Sequence, residues 1–251
     1  MNLIALDTCD SAGSVSVLCG GEVLHTVEHN TTDDYSVWLL PAIDRALQAS
    51  CLTFADIDVY VAASGPGSFT GVRVGLTTVK AWAEVTRNPI VGVSRLEALA
   101  TQAKAAAGEF IAAFTNAQRK QIYGALYRRE GERLARVADE AVISPEAFLA
   151  WAVENSASAP IHWISTDSAM LTETEAWAAR QKNGAGEAGN ERAEVEAASP
   201  ILGPSIGKLG HRLATMNQFT DPLRLDANYV RRSDAEVSWS DRQERAGKSA
   251  G

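Results

Sequence analysis

The residues of this chain best suited by type and spacing to chemistry are Ser64-Gly65-Pro66-Gly67-Ser68-Phe69-Thr70-Gly71-Val72-Arg73-Val74-Gly75-Leu76. Gly65 and Gly67 permit positive φ, Pro66 fixes the turn between them, and Ser68 and Thr70 can cap a following helix. Backbone N–H groups at such a helix start can hold an anion, which makes Gly65, Gly67 and Ser68 candidates to lie beside a phosphate. A plain strand-to-helix corner with no ligand uses the same residues. The run is not a Walker A loop, because Val72-Arg73 follow Gly71, and it is not a Rossmann fingerprint, because Thr70 stands where the third glycine belongs. Ser68 does not sit in GxSxG, and no nucleophile–base pair accompanies it, so no catalytic residue is assigned and a peptidase has no support. His25-Thr26-Val27-Glu28-His29 matches HxxxH. Such a pair binds a metal from a helix, where residues four apart are neighbours. On a strand four residues span about 13 Å, so no metal site is expected.

The elements that must position these residues follow from hydrophobic periodicity. Strands are expected at 3–8, 14–19 and 22–30, with Gly20-Gly21 turning a hairpin. A helix runs from Asp33 or Asp34 to Ser50, carrying Val37, Leu40, Ile43 and Leu47 as an apolar stripe. A buried strand over 57–63 leads into the glycine turn and a helix from Phe69 to Arg87. A short strand follows at 90–93, then a helix over 95–107 with Ser94 and Glu97 as a capping box. The second half repeats the plan: a strand at 110–115, a hairpin of 121–129 and 132–138, a helix from Ser144-Pro145 to Val153, a strand at 161–164 and a final helix over 205–217. Strand-strand-strand-helix-strand-helix, twice, is the layout of the actin–hexokinase–Hsp70 (ASKHA) superfamily. The expected architecture is therefore α/β and two-lobed, with lobes at 1–108 and 109–236 and the final helix packing back on the first lobe. Residues 183–198, polar and aperiodic, read as a flexible insertion, and 237–251 as a frayed tail.

In an actin-like plan the first strand of each half ends in a phosphate-facing carboxylate. Asp7 fits that position, with Thr8 and Ser11 able to bond a phosphate; capping of the turn is the other reading. The matching stretch of the second half carries Asn116, and a neutral amide serves poorly as a general base or Mg²⁺ ligand.

The glycine-rich run, together with Leu3-Ile4-Ala5-Leu6-Asp7-Thr8 and Asn228-Tyr229-Val230-Arg231-Arg232-Ser233-Asp234-Ala235-Glu236, resembles the TsaB family, non-catalytic subunits of the machinery that makes N6-threonylcarbamoyladenosine in tRNA. The family pattern has Asp where Asn116 stands. The resemblance implies a pseudo-enzyme that supports a TsaD-like catalytic subunit, with a TsaE-like ATPase as further partner and a homodimer in isolation. It also implies no tightly bound cofactor, weak ATP or ADP binding at the partner interface, and contact with tRNA only through the complex. HxxxH resembles the metal pair of TsaD, but the helix that would carry it holds Tyr35-Ser36. Two helices rich in apolar residues, 33–50 and 69–87, look too wide for one core, and by resemblance they pair with the partner. Tyr35, Trp38, Leu39, Val72, Val79 and Trp82 are the expected contacts. An independent small-molecule kinase on the same fold is the alternative, weakened by Asn116.

Composition agrees with these expectations. The chain has 251 residues, 46% of them hydrophobic, enough for two cored lobes. Its formal net charge of −8 makes it a poor match for a nucleic-acid backbone on its own. Cys9, Cys19 and Cys51 form no CxxC, which suits a reducing cytoplasm, and no membrane span or leader is evident.

Overall fold

A computed structural model describes residues 1–183 and 194–228. The tail 237–251, residues 229–236 of the second end motif and residues 184–193 of the expected insertion lie outside the described residues. The first sheet has the order β3-β2-β1-β4-β5, formed by β1 (Asn2–Asp7), β2 (Ser14–Cys19), β3 (Glu22–Glu28), β4 (Val59–Ala63) and β5 (Ile90–Val93). β1 to β3 are antiparallel neighbours, and β4 and β5 add in parallel. The second sheet is built from β6 (Phe110–Asn116), β7 (Ile122–Glu130), β8 (Arg133–Arg136), β10 (Ile161–Ser165) and β11 (Val195–Ala197), in the order β8-β7-β6-β10-β11. β9 (Ala141–Ile143) pairs with the other end of β7. The two orders and senses are the same, so the duplication expected from periodicity is present, and the fold is α/β of the ASKHA type.

Register explains how the layers stack. In β4, Tyr60 packs against Phe54 and against Trp82 of α2 (Phe69–Thr86). Its neighbour Val61 points the other way, onto α7 (Gly203–Thr215). α1 (Tyr35–Ala49) and α2 therefore cover one face of the first sheet and α7 the other. α7 lies close because Gly203, Gly207 and Gly210 face the sheet: a Cβ at Gly210 would fall 2.5 Å from Val61 Cγ1. The second sheet alternates likewise. Ile111, Ala113, Tyr123, Ala125, Tyr127 and Ile164 join the first core, while Ala112, Phe114, Ile122, Leu126 and Trp163 form a second core. That second core is closed by α4 (Pro145–Asn155), α5 (Ala169–Thr172) and α6 (Glu175–Asn183). The inner face of this sheet is covered by α3 (Arg95–Ala100), which also touches α7. Each half thus lends its last helix to the middle of the molecule. After α7 the chain returns along the free edge of β5, where Thr220 N–H donates to Ile90 O (2.8 Å), and reaches the glycine turn, where Asn228 N–H donates to Ser64 O (2.7 Å).

Three expectations need correcting. The stretch 183–198 is not wholly a loop, because Val195–Ala197 is β11, paired in parallel with Trp163–Ser165 of β10; three residues are too few for periodicity to reveal. α3 ends at Ala100 rather than near 107: Thr101 caps it, with its hydroxyl donated to Ala98 O (2.7 Å), and the small and polar residues that follow bring no large apolar side chain to extend its buried face. The stripe Val37–Leu40–Ile43–Leu47 is also out of phase. α1 buries Trp38, Leu39, Ala42, Ile43, Ala46 and Leu47, and leaves Val37 and Leu40 in solvent.

Candidate functional site

β1, β4 and β5 end at the mouth of the first lobe, and the turns that follow them converge. The glycine-rich run packs there against the turn after β1. Ser68 N–H donates to Cys9 O (2.6 Å) and the Thr8 hydroxyl to Gly71 O (2.7 Å). A Cβ at Gly67 would fall 2.3 Å from Cys9 O, and one at Gly71 2.0 Å from Thr8 O. The glycines are therefore required by the approach of α2 to the backbone of Thr8 and Cys9. Ser68 caps α2 as expected, its Oγ accepting from Gly71 N–H at 3.4 Å.

Asp7 ends β1 fully buried. Its Oδ1 accepts from Cys9 N–H (3.0 Å), and its Oδ2 pairs with Arg95 Nε at 3.3 Å. Arg95, 2% exposed, opens α3; its Nη2 lies 3.4 Å from Asp10 Oδ2 and its N–H donates to Gly65 O (2.7 Å). Burial works against the Arg95 charge, but Asp7 and Asp10 more than offset it, and the net shift of the guanidinium is upward. Burial, and then Asp7, push the Cys9 thiol well up, which makes it a poor nucleophile. Thr8 is buried and spent on Gly71. Ser11 is exposed, with its N–H donated to Asp10 Oδ1 (2.8 Å). Sequence reading missed Arg95 altogether. It stands 88 residues from Asp7, and nothing local marks it.

The second half mirrors the first turn. Asn116 Oδ1 accepts from Gln118 N–H at 2.7 Å, as Asp7 does from Cys9, and Asn116 Nδ2 donates to Asp167 Oδ2 at 3.4 Å. Asp167, after β10, is the carboxylate of this half that sequence reading overlooked. Between the lobes Glu140 is nearly buried. It accepts from Tyr127 OH and Asn228 Nδ2, pairs with Arg136 at 3.2 Å, and meets the Ser94 hydroxyl. The expected capping box is half present. Ser94 Oγ accepts from Glu97 N–H (3.2 Å), but the Glu97 carboxylate turns to Arg212 (3.4 Å). Burial raises the Glu97 pKa, against the pull of Arg212 and Arg136.

His25 and His29 do not converge. His25 is exposed on β3. The His29 ring nitrogens each lie 2.9 Å from a backbone oxygen, of Ser11 and of Asp33. Among the described residues no group of three His, Cys, Asp or Glu is placed to hold a metal. None of the described helices is long and apolar enough to cross a membrane.

The partner-facing residues also need correction. Trp38 (4% exposed), Leu39 (2%), Val72 and Val79 lie in the lobe's own core. Tyr35 is half-buried beneath His29 and bonded to Asp10 O, and Trp82 packs on Phe54 and Tyr60. Other apolar positions of these helices face solvent: Val37 (66%), Leu40 (61%) and Pro41 on one face of α1, and Phe69 and Val85 near opposite ends of α2. A groove lined by Phe69, Thr70, Arg73, Val74, Thr77 and Thr78 runs along α2, with the Arg73 guanidinium 3.7 Å from the centre of the Phe69 ring.

The family model for TsaD, tRNA N6-adenosine threonylcarbamoyltransferase, matches residues 22–179. Among curated relatives, the tRNA threonylcarbamoyladenosine biosynthesis protein TsaB of Bacillus subtilis is 31% identical over 140 residues, 56% of this chain and 61% of its own. The protein of the same name from Haemophilus influenzae is 32% identical over 155 residues, 58% of this chain and 65% of its own. The chain thus spans somewhat less than two thirds of the length of these relatives. A Pseudomonas aeruginosa crystal structure, described as similar to the peptidase YeaZ, superposes with a TM-score of 0.71 at 22% identity, covering 92% of this chain and 99% of that one, which shows a shared fold. With the threonylcarbamoyltransferase model covering more than half its length and TsaB proteins among its relatives, the chain belongs to the TsaD family, on its TsaB branch.

Proposed function

We propose that this chain is a non-catalytic partner subunit in the synthesis of N6-threonylcarbamoyladenosine in tRNA, and that it pairs with a TsaD-like catalytic subunit in the cytoplasm. The observation that carries this reading is the apolar stripe of Val37, Leu40 and Pro41 on α1, on the side away from the core, with Phe69 exposed at the start of α2. Such a stripe at helical spacing is costly to leave in water and suits a helix-to-helix contact. The carboxylates that would serve phosphoryl transfer are committed elsewhere: Asp7 to Arg95, and its counterpart replaced by Asn116. A TsaE-like ATPase joins the pair, weak ATP or ADP binding belongs to the seam between subunits, and tRNA is met only in the complex. In isolation the same stripe pairs two copies of the chain.

Co-expression with a tagged TsaD-like protein tests the reading. The wild-type chain should co-purify. Val37→Asp and Leu40→Asp, at exposed positions, should keep a native circular dichroism spectrum and lose the partner, because a charge buried unpaired at an interface costs several kcal/mol. Trp38→Asp should instead unfold the lobe. Folded V37D and L40D variants that still capture the partner would remove this face from the interface.

A further inference from the structure

An actin-like cleft implies a phosphate ligand with its divalent cation at the first-strand carboxylate, and the residues present here do not fit one. Both Asp7 oxygens have partners inside the chain, Cys9 N–H and Arg95 Nε. Four amides at the two turns are also committed: Cys9 N–H to Asp7, Ser11 N–H to Asp10, Ser68 N–H to Cys9 O and, in the second lobe, Gln118 N–H to Asn116. The Thr8 hydroxyl is held by Gly71 O.

Arg95 is anchored at its backbone and buried at its side chain. Its backbone N–H is bonded to Gly65 O, and the helix it opens is packed against the second sheet. Its Nη2 has no hydrogen-bond partner among the described residues, only the Asp10 carboxylate at ion-pair distance. A divalent cation at Asp7 would meet a buried positive charge at the same oxygen, and displacing that charge would strand it in the core.

We infer that Arg95 is the resident cation of this cleft, filling at Asp7 and Asp10 the position a divalent ion would take, so that the cleft is closed to a cation-bound nucleotide. The guanidinium instead ties the turn after β1 to the helix that reaches across to the other lobe. Removing it should uncover a latent site with two carboxylates, Asp7 and Asp10, and the oxygen chemistry that suits Mg²⁺ or Mn²⁺.

The test uses Mn²⁺, alone and with ATP, followed by electron paramagnetic resonance of the free ion and by thermal melting. Wild-type protein should show no saturable Mn²⁺ site dependent on Asp7, and any shift in melting temperature with Mn²⁺–ATP should be the same in Asp7→Asn. Arg95→Ala should melt lower than wild type, gain one Mn²⁺ per chain, and recover part of its loss as Mn²⁺ is added. The double variant Asp7→Asn/Arg95→Ala should show neither binding nor recovery, and Arg95→Lys should stay closed to the ion. If Arg95→Ala folds poorly, Mn²⁺-dependent refolding is the readout, and its absence overturns the inference. A wild-type Mn²⁺–ATP site that disappears in Asp7→Asn overturns it equally.

Discussion

Glu97 and Glu140 lie side by side at the junction of the lobes with Arg136 and Arg212 close by, and they differ in what holds their charge. Glu140 has three hydrogen-bond donors besides its arginine, the Tyr127 and Ser94 hydroxyls and Asn228 Nδ2, whereas the Glu97 carboxylate has, among the described residues, Arg212 alone. Burial accordingly raises the Glu97 pKa, so the folded protein holds this proton more tightly than the unfolded chain does. Below the ordinary carboxyl value of 4.5 the group contributes fully to stability, and that contribution is lost as pH rises through the elevated folded value. Glu97→Gln, which keeps shape and removes charge, should have a higher urea midpoint than wild type at pH 7, with the two curves meeting under acid. A midpoint below wild type at pH 7 would mean that the Arg212 pair outweighs desolvation. Asp7→Asn leaves a buried guanidinium with only the half-exposed Asp10 as charge partner and should cost about 3–5 kcal/mol, read from denaturant unfolding.

Among the elements, α7 lies close on the first sheet through a row of glycines. Replacing Gly210 by Ala in a helix normally gains up to about 1 kcal/mol. Here the new methyl would press on Val61 Cγ1 and Cγ2, both 2.5 Å away, and Val61 is β-branched and central in its sheet. Overpacking of that kind costs about 1–3 kcal/mol, so Gly210→Ala should be net destabilising. A stabilised variant would show that α7 does not lie this close. The longer strands were readable from their apolar runs, and so was the doubled order of elements, because an all-buried strand such as Ile4-Ala5-Leu6 leaves little choice; the three-residue β9 and β11 and the helices α5 and α6 were not. The phase of α1 was not readable. Val37, Trp38, Leu39 and Leu40 are all apolar, and a continuous run fits either face; the sheet beneath decides. The glycine-rich run was legible as a strand–turn–helix, yet its purpose was not. The same residues serve an anion or a neighbouring backbone, and only the position of Thr8 and Cys9 separates the two. Arg95, Asp167 and β11 owe their places to pairings between distant segments, which no local pattern encodes.

As a whole the molecule is a stack of five layers: α1 with α2, the first sheet, α7 with α3, the second sheet, then α4 to α6. The central layer belongs to both lobes, since α3 comes from the first half and covers the second sheet while α7 does the reverse. The lobes should therefore unfold together. Trp38 and Trp82 report on the first and Trp163 and Trp177 on the second. Single-tryptophan variants should give coincident urea midpoints, and a fragment of residues 1–108 alone should lack a cooperative transition. Two separated midpoints would show that the central layer splits on unfolding.

The seat of α7 also bears on how the chain comes off the ribosome. Synthesis runs from the first residue, and the first sheet has all its strands once Val93 has emerged. Yet the face that takes α7, with Ser16, Leu18 and Val61, stays bare until Gly203–Thr215 follow. For more than a hundred residues of translation a nascent chain displays an apolar sheet with no lid, the kind of surface that chaperones hold and that aggregates in their absence. Variants that weaken α7 should be lost mainly during production, with low yield from cells, while the molecules that do finish remain native.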